Sequence, residues 1–204
     1  ADVDVPSIHK NIEIDLLKEI SVNTNILSNI RTHSPENIYA EIYAAENDLD
    51  DVILLNPDKR VARTISGNLL LLEENTIKIP KQSEGAYISP LMENFVTFLH
   101  KNAFVIIEEA ELSAFETQKA EEILVISDEK GVFSVSKIRN KEFGFKENIN
   151  LNVDFVNFYQ TIVDEYYNKT SLSNYNTWKA SLNHFINFSI SFTISFVAFG
   201  KANL

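Results

Sequence analysis

One stretch constrains the fold more than any other: "EILVISDEKGVFSVSKI", residues 122–138. Strand-forming runs flank Asp128-Glu129-Lys130-Gly131, with apolar and polar residues alternating in "VFSVSKI", and Gly131 suits a positive φ. The run therefore predicts a β-hairpin. Further strands are expected in "DVILLN", ended by Pro57, and in "RVARTISGNLLLLEENTIKIP", with turns at Gly67-Asn68 and Glu73-Glu74-Asn75. "AFVIIEEA" reads as another strand, and "EEAELSAFETQKAEE" can continue it as a helix.

Helical signals surround this strand-rich middle. After a loose lead of residues 1–8, Ile12, Leu16, Ile20, Leu27 and Ile30 recur at helical spacing and predict a helix over about 11–32. Ser34-Pro35 reads as an N-cap followed by proline at the first helical position, where its missing N–H costs nothing. That helix is expected to run to Glu46 with Ile38, Tyr39, Ile42 and Tyr43 facing inward. Ser89-Pro90 repeats the signal for a helix to about Lys101, with Leu91, Phe95, Phe98 and Leu99 as its core face. Asn152 is expected to cap a last helix to about Tyr167, with Phe155, Tyr159, Ile162 and Tyr166 on one stripe, widened by Val156, Val163 and Tyr167. The order predicts an α+β fold: one domain over 1–204, its mixed or antiparallel sheet flanked by helices.

Residues 170–204 are compositionally distinct, carrying two lysines and no acid. Within them "FSISFTISF" puts Phe188, Ile190, Phe192, Ile194 and Phe196 on one side and serine or threonine on the other. This predicts a long amphipathic strand. Its expected place is inside the sheet, where neighbours cover the uncharged hydroxyl face. The alternative is a strand that enters a bilayer, where about 9–11 residues suffice to span. In this one segment the chain resembles water-soluble pore-forming toxins, and that resemblance implies membrane insertion.

Composition narrows the chemistry. Over 204 residues, 45% hydrophobic content is enough for a sizeable core. A net charge of −11, with 18 basic residues scattered among 29 acidic ones, opposes nucleic acid, which needs clustered cations. The absence of cysteine excludes disulfides and thiolate chemistry. The chain begins without Met, which reads as a processed soluble protein, cytoplasmic or secreted with its leader removed.

No site motif stands out. The four histidines are dispersed and no metal is expected; "ENDLDD" lacks the glycine and closing glutamate of a calcium loop. Five glycines and no glycine-rich loop argue against a bound nucleotide, and no cofactor is expected. The weak catalytic candidates are Glu108 and Glu109, after an apolar strand, and Asp128 in the hairpin turn. The sequence thus points to a non-enzymatic acidic protein that binds a protein partner or assembles with its own copies, as immunity or virulence-associated structural proteins do. A membrane-inserting toxin and an enzyme built from scattered carboxylates are the alternatives.

Overall fold

The structure, a computed structural model, describes residues 8–31, 34–102, 105–143 and 151–170. The described residues divide into two compact units, within 1–154 and within 155–204. The alternating segment of Phe188, Ile190, Phe192, Ile194 and Phe196 lies outside them.

The first unit is built on one mixed nine-stranded sheet, and the α+β expectation is met. Its strands are β1 (Ile8–Leu17), β2 (Asp51–Leu55), β3 (Val61–Thr64), β4 (Asn68–Glu73), β5 (Thr76–Pro80), β6 (Ile106–Ala110), β7 (Glu122–Ser127), β8 (Gly131–Ile138) and the short β9 (Lys141–Glu142). Their order is β3-β2-β1-β8-β7-β4-β5-β6, with β9 on β8. The predicted hairpin is β7–β8: Leu124 faces Ser134, Ile126 faces Val132, and Gly131 takes φ +95°. Helices α1 (Pro35–Glu46), α2 (Pro90–Asn102) and α3 (Ala114–Lys119) connect the strands, and α4 (Leu151–Thr170) crosses from the first unit into the second.

The helix expected over 11–32 is instead a strand followed by an irregular segment. "NIEIDLL" satisfies two periods at once, because Ile12 and Leu16 are four apart while Ile12, Ile14 and Leu16 also alternate with charges. β-Branched isoleucines and two waiting neighbours decide for period two. β1 pairs in parallel with both β2 and β8, with a bulge where Asn11 adopts φ +35°. Only a 3₁₀ turn at Ile26–Asn29 remains of the expected helix.

Core strands are buried on both faces, which explains why β2 ("DVILL"), β4 ("NLLLL") and β7 ("EILVIS") read as near-continuous apolar runs. Along β2, Ile53 and Leu55 join one cluster with Ile14, Leu71 and Val125. Val52 and Leu54 join another with Leu17, Ala40 and Ala62. Each fully buried side chain of this size contributes about 1.5–3 kcal/mol through the hydrophobic effect.

α1 starts where Ser34-Pro35 indicated, with Ser34 Oγ accepting from the Asn37 N–H. Of the expected inward face only Tyr43 packs, half-buried, against the core. Ala40 and Ala44 are buried, whereas Ile38 and Ile42 are 51% and 53% exposed and line a shallow groove with Ser34, Pro35 and Tyr39. α1 lies close against β2, and small residues permit that approach. Hydrophobicity alone picked the wrong stripe. α2 matches better, with Phe95 and Leu99 fully buried and Met92 beside them. Along α4, Phe155, Phe158 and Val163 are buried, with the two phenylalanine rings tilted 5.7 Å apart, while Ile162 is exposed.

Two stability measurements test this packing. Ala40→Leu should cost about 1–3 kcal/mol by overpacking the α1–β2 contact, and Ile42→Ala should change stability by less than about 0.5 kcal/mol. The reverse order in denaturant unfolding would put the isoleucine face inside. Gly67 presses its backbone on β7, where an added Cβ would overlap the Ile126 carbonyl. Gly67→Ala should therefore lose about 1–3 kcal/mol, read in the same way.

Candidate functional site

Polar side chains in an apolar sheet collect at one end. There β3 ends, β4 begins beside the end of β7 (Asn68 opposite Ile126), and β2 starts at Asp51. Asp51, Arg63, Ser66, Asn68, Ser127, Asn37 and Tyr87 are all buried at this end or in the segments that cover it.

Asp51 organises the β3–β4 turn. One carboxylate oxygen accepts from the N–H of Val52 (2.7 Å) and Ile65 (3.0 Å), and the other from Ser66 (3.2 Å). Burial raises its pKa above that of an ordinary aspartate, against the opposing pull of these hydrogen bonds. Thr64 Oγ1 and Gly67 exchange hydrogen bonds and close the turn.

Arg63 stands on β3 opposite Leu54, in a segment otherwise lined by valine, alanine and leucine. It is 4% exposed. Nη2 donates to Asn37 Oδ1 (3.2 Å), and the guanidinium lies over the Tyr87 ring, 4.4 Å from its centroid. Nε and Nη1 have no hydrogen-bond partner. Tyr87 is fixed in turn: its hydroxyl accepts from Asn37 Nδ2 (3.0 Å), and its backbone N–H and carbonyl bond the Asn68 amide (2.8 and 2.7 Å).

A second cation comes in from the segment before α1. Arg31 Nη1 donates to the Ser66 carbonyl (2.7 Å) and Ser127 Oγ (3.0 Å), and Nη2 pairs with Glu129 at 3.1 Å. Lys130 Nζ, on the exposed β7–β8 turn, lies 3.4 Å from Ser66 Oγ. The N-terminus of α2 is close by, but its donors are occupied. Pro90 has no N–H, Leu91 N donates to Asp128 Oδ1 (2.8 Å), and Met92 N to Ser89 Oγ (3.1 Å).

The sequence candidates do not meet here as a set. Glu108 and Glu109 are exposed on β6, which with β3 ends the strand order of the described residues, and Asp128 serves as a cap on α2. Among the described residues no group of three or more His, Cys, Asp or Glu could hold a metal ion. Sequence reading missed Arg63 and Asp51, although each gave a signal: a charge inside "RVARTI" and an acid at the head of "DVILL". A charge placed within an apolar strand must be buried or functional.

The sequence model of the family amino-transferase class IV matches residues 18–138. No curated protein sequence matches the chain. Solved structures with a similar fold include a candidate 4-amino-4-deoxychorismate lyase from Legionella pneumophila, at TM-score 0.67 and 18% identity over 76% of this chain and 57% of that one. The branched-chain aminotransferase of Thermobaculum terrenum in its PLP form gives 0.66 and 16% over 74% and 50%. That of Thermoproteus uzoniensis, solved with norvaline, gives 0.65 and 12% over 73% and 50%. The chain spans about half the length of these proteins. The family is one of enzymes, and the match overturns the expectation of a non-enzymatic binding or self-assembling protein, immunity-like or virulence-associated, together with its toxin alternative. Acidic composition was no guide to function. Among the described residues no helix is long and apolar enough to cross a membrane.

Asp51 gives the site a pH signature. Because its folded-state pKa is raised, its contribution to stability is fully present below the ordinary aspartate value and is lost as pH rises through the folded value. Measured against Asp51→Asn, the stability of the native chain should thus decline over that window and level off above it. A difference that grows with pH in urea titrations would reverse the assignment.

Proposed function

The chain belongs to the class IV aminotransferase family, and on that premise we propose that it carries out amino-group chemistry on a small amino-bearing acid, as an enzyme or as half of one. The observation that carries this reading is the family match over residues 18–138. The likeness in fold to a transaminating and a lyase-type protein supports the coarse class, amino-group chemistry, without choosing between transfer and elimination.

The similar structure from Thermobaculum terrenum is in its pyridoxal phosphate form. That cofactor supplies an electron sink for carbanions and is held by a lysine amine with a partner for its ring nitrogen. The described residues do not fit it. A lysine serving this way must shed its proton, which desolvation favours. Here Lys78, Lys81 and Lys137 are half-buried and paired with Glu73, Glu111 and Glu13, and Lys141 donates to the carbonyls of Gln118 and Ala120. Lys18, Lys59, Lys101, Lys119 and Lys130 are exposed. Arginine stays charged and forms no imine. The α2 N-terminus, a natural phosphate cradle, already has Ser89 and Asp128 on its free donors.

What the described residues supply is binding and orientation. Arg63 and Arg31 present positive charge at the sheet end, Tyr87 offers a flat ring, and Asn37 and Asn68 hold that ring in place. Amino-acid donors and 2-oxo-acid acceptors, assayed both with and without added pyridoxal phosphate and followed by mass spectrometry, test the proposal. Amino transfer or amine-linked cleavage above background is expected for at least one substrate. Silence across the panel would overturn the reading. Borohydride reduction of the same mixture should leave no stoichiometric tag on lysines 18–141, and a tag there would overturn the misfit.

A further inference from the structure

We propose that Arg63 is the receptor for a small oxyanion, the carboxylate or phosphate group of a ligand, which completes the charge balance of the buried sheet end. This site stands on Arg63 itself and holds whether or not the chain turns over amino acids.

The first argument is the unbalanced charge. A guanidinium remains protonated at any ordinary pH, so it cannot escape burial by losing its proton. Burial of a cation is tolerated when an anion and hydrogen bonds replace its water. Arg63 is 4% exposed, has no ion pair with a described carboxylate, and leaves the N–H groups of Nε and Nη1 without acceptors. Its existing partners, one amide oxygen and one aromatic face, are neutral.

The second argument is preorganisation. A side chain buried only for packing would need no framework around its head group. Here Asn37 holds Nη2, the same amide donates to the Tyr87 hydroxyl, and Asn68 clamps the Tyr87 backbone from both sides. The chain thus fixes the plane of the guanidinium before any ligand arrives, which lowers the entropy cost of binding. A planar donor on an aromatic face matches the in-plane oxygens of an oxyanion.

The third argument is the local field. Asp51, the nearest buried acid in the sequence, directs both oxygens at backbone N–H groups of its own turn. Around Ser66, Arg31 is paired with Glu129 and Lys130 faces a site where the Asp51 carboxylate accepts from the Ser66 N–H, so the unbalanced cation at this end is Arg63. A cation left without an anion in a low-dielectric sheet end draws anions even when the whole chain is strongly acidic.

The test titrates the ¹⁵N-labelled chain with pyruvate, inorganic phosphate and chloride at constant ionic strength, reading the Arg63 Nε–H resonance and the melting temperature. Saturable movement of that resonance is expected with pyruvate or phosphate and not with chloride. A response to pyruvate alone assigns a carboxylate ligand, and a response to phosphate alone assigns a phosphorylated one. Arg63→Met should weaken binding by about tenfold or more, Arg63→Lys should restore part of it, and Arg31→Met, which leaves the Arg63 donors in place, should weaken binding less than Arg63→Met does. If Arg63→Met fails to fold, the resonance of the native chain still decides. An Nε–H signal indifferent to both oxyanions, or equal binding by native chain and Arg63→Met, would overturn the proposal.

Discussion

The whole sheet hangs on the parallel ladders of β1. That strand hydrogen-bonds to β2 on one side and β8 on the other, so in the strand order of the described residues it joins the β2–β3 pair to the rest, while the Arg60–Ser113 bridge and the Val61 N–H on the Leu112 carbonyl tie β3 to the segment after β6. Parallel neighbours cannot be linked by a tight turn, so the chain must cross over between them. α1 is the crossover from β1 to β2, and it brings Asn37 over the end of the sheet. Everything between β2 and β8 is likewise one long excursion that returns to the far edge of β1. The placement of Arg63 and Tyr87 follows from that route.

Two buried charges at the same sheet end have been treated in opposite ways. Asp51 is ringed by N–H donors and becomes part of the turn it supports. Arg63 keeps donors without acceptors. An acid satisfied by backbone is architecture, since its partners arrive with the fold. A cation missing an anion is unfinished chemistry, because a folded chain that needed only stability would do better with an apolar side chain of similar volume. The contrast separates the residue that builds the site from the residue that uses it.

Much of the architecture was legible in the residues. Gly131 and the alternation around it gave β7–β8, and Ser34-Pro35 and Ser89-Pro90 gave the starts of α1 and α2, because caps and turns are local physics. What failed was non-local. "NIEIDLL" fits a helix until β2 and β8 are present to accept it as a strand, and the isoleucine stripe of α1 looks like a core face until Ala40 and Ala44 show that close approach to β2 was the stronger requirement. The site was harder still. Glu108, Glu109 and Asp128 were attractive as carboxylates near strand ends, but they are exposed or used as a cap. Arg63 was hidden by its own neighbours, since a lone charge in a strand acquires meaning only when both faces of that strand are buried.

Net charge misled for a related reason. A total of −11 describes the solvent-facing surface, where acids such as Glu108 and Glu109 are cheap to place and weakly coupled to anything. Binding depends on the potential where water is excluded. At the polar end of this sheet Arg63 is buried, while Arg31 on Ser66 and Ser127 and Lys130 at the rim stand beside the carboxylates of Asp51 and Glu129. An acidic exterior also repels anions that approach elsewhere, so the composition that opposes nucleic acid is compatible with an anion held at this one buried position.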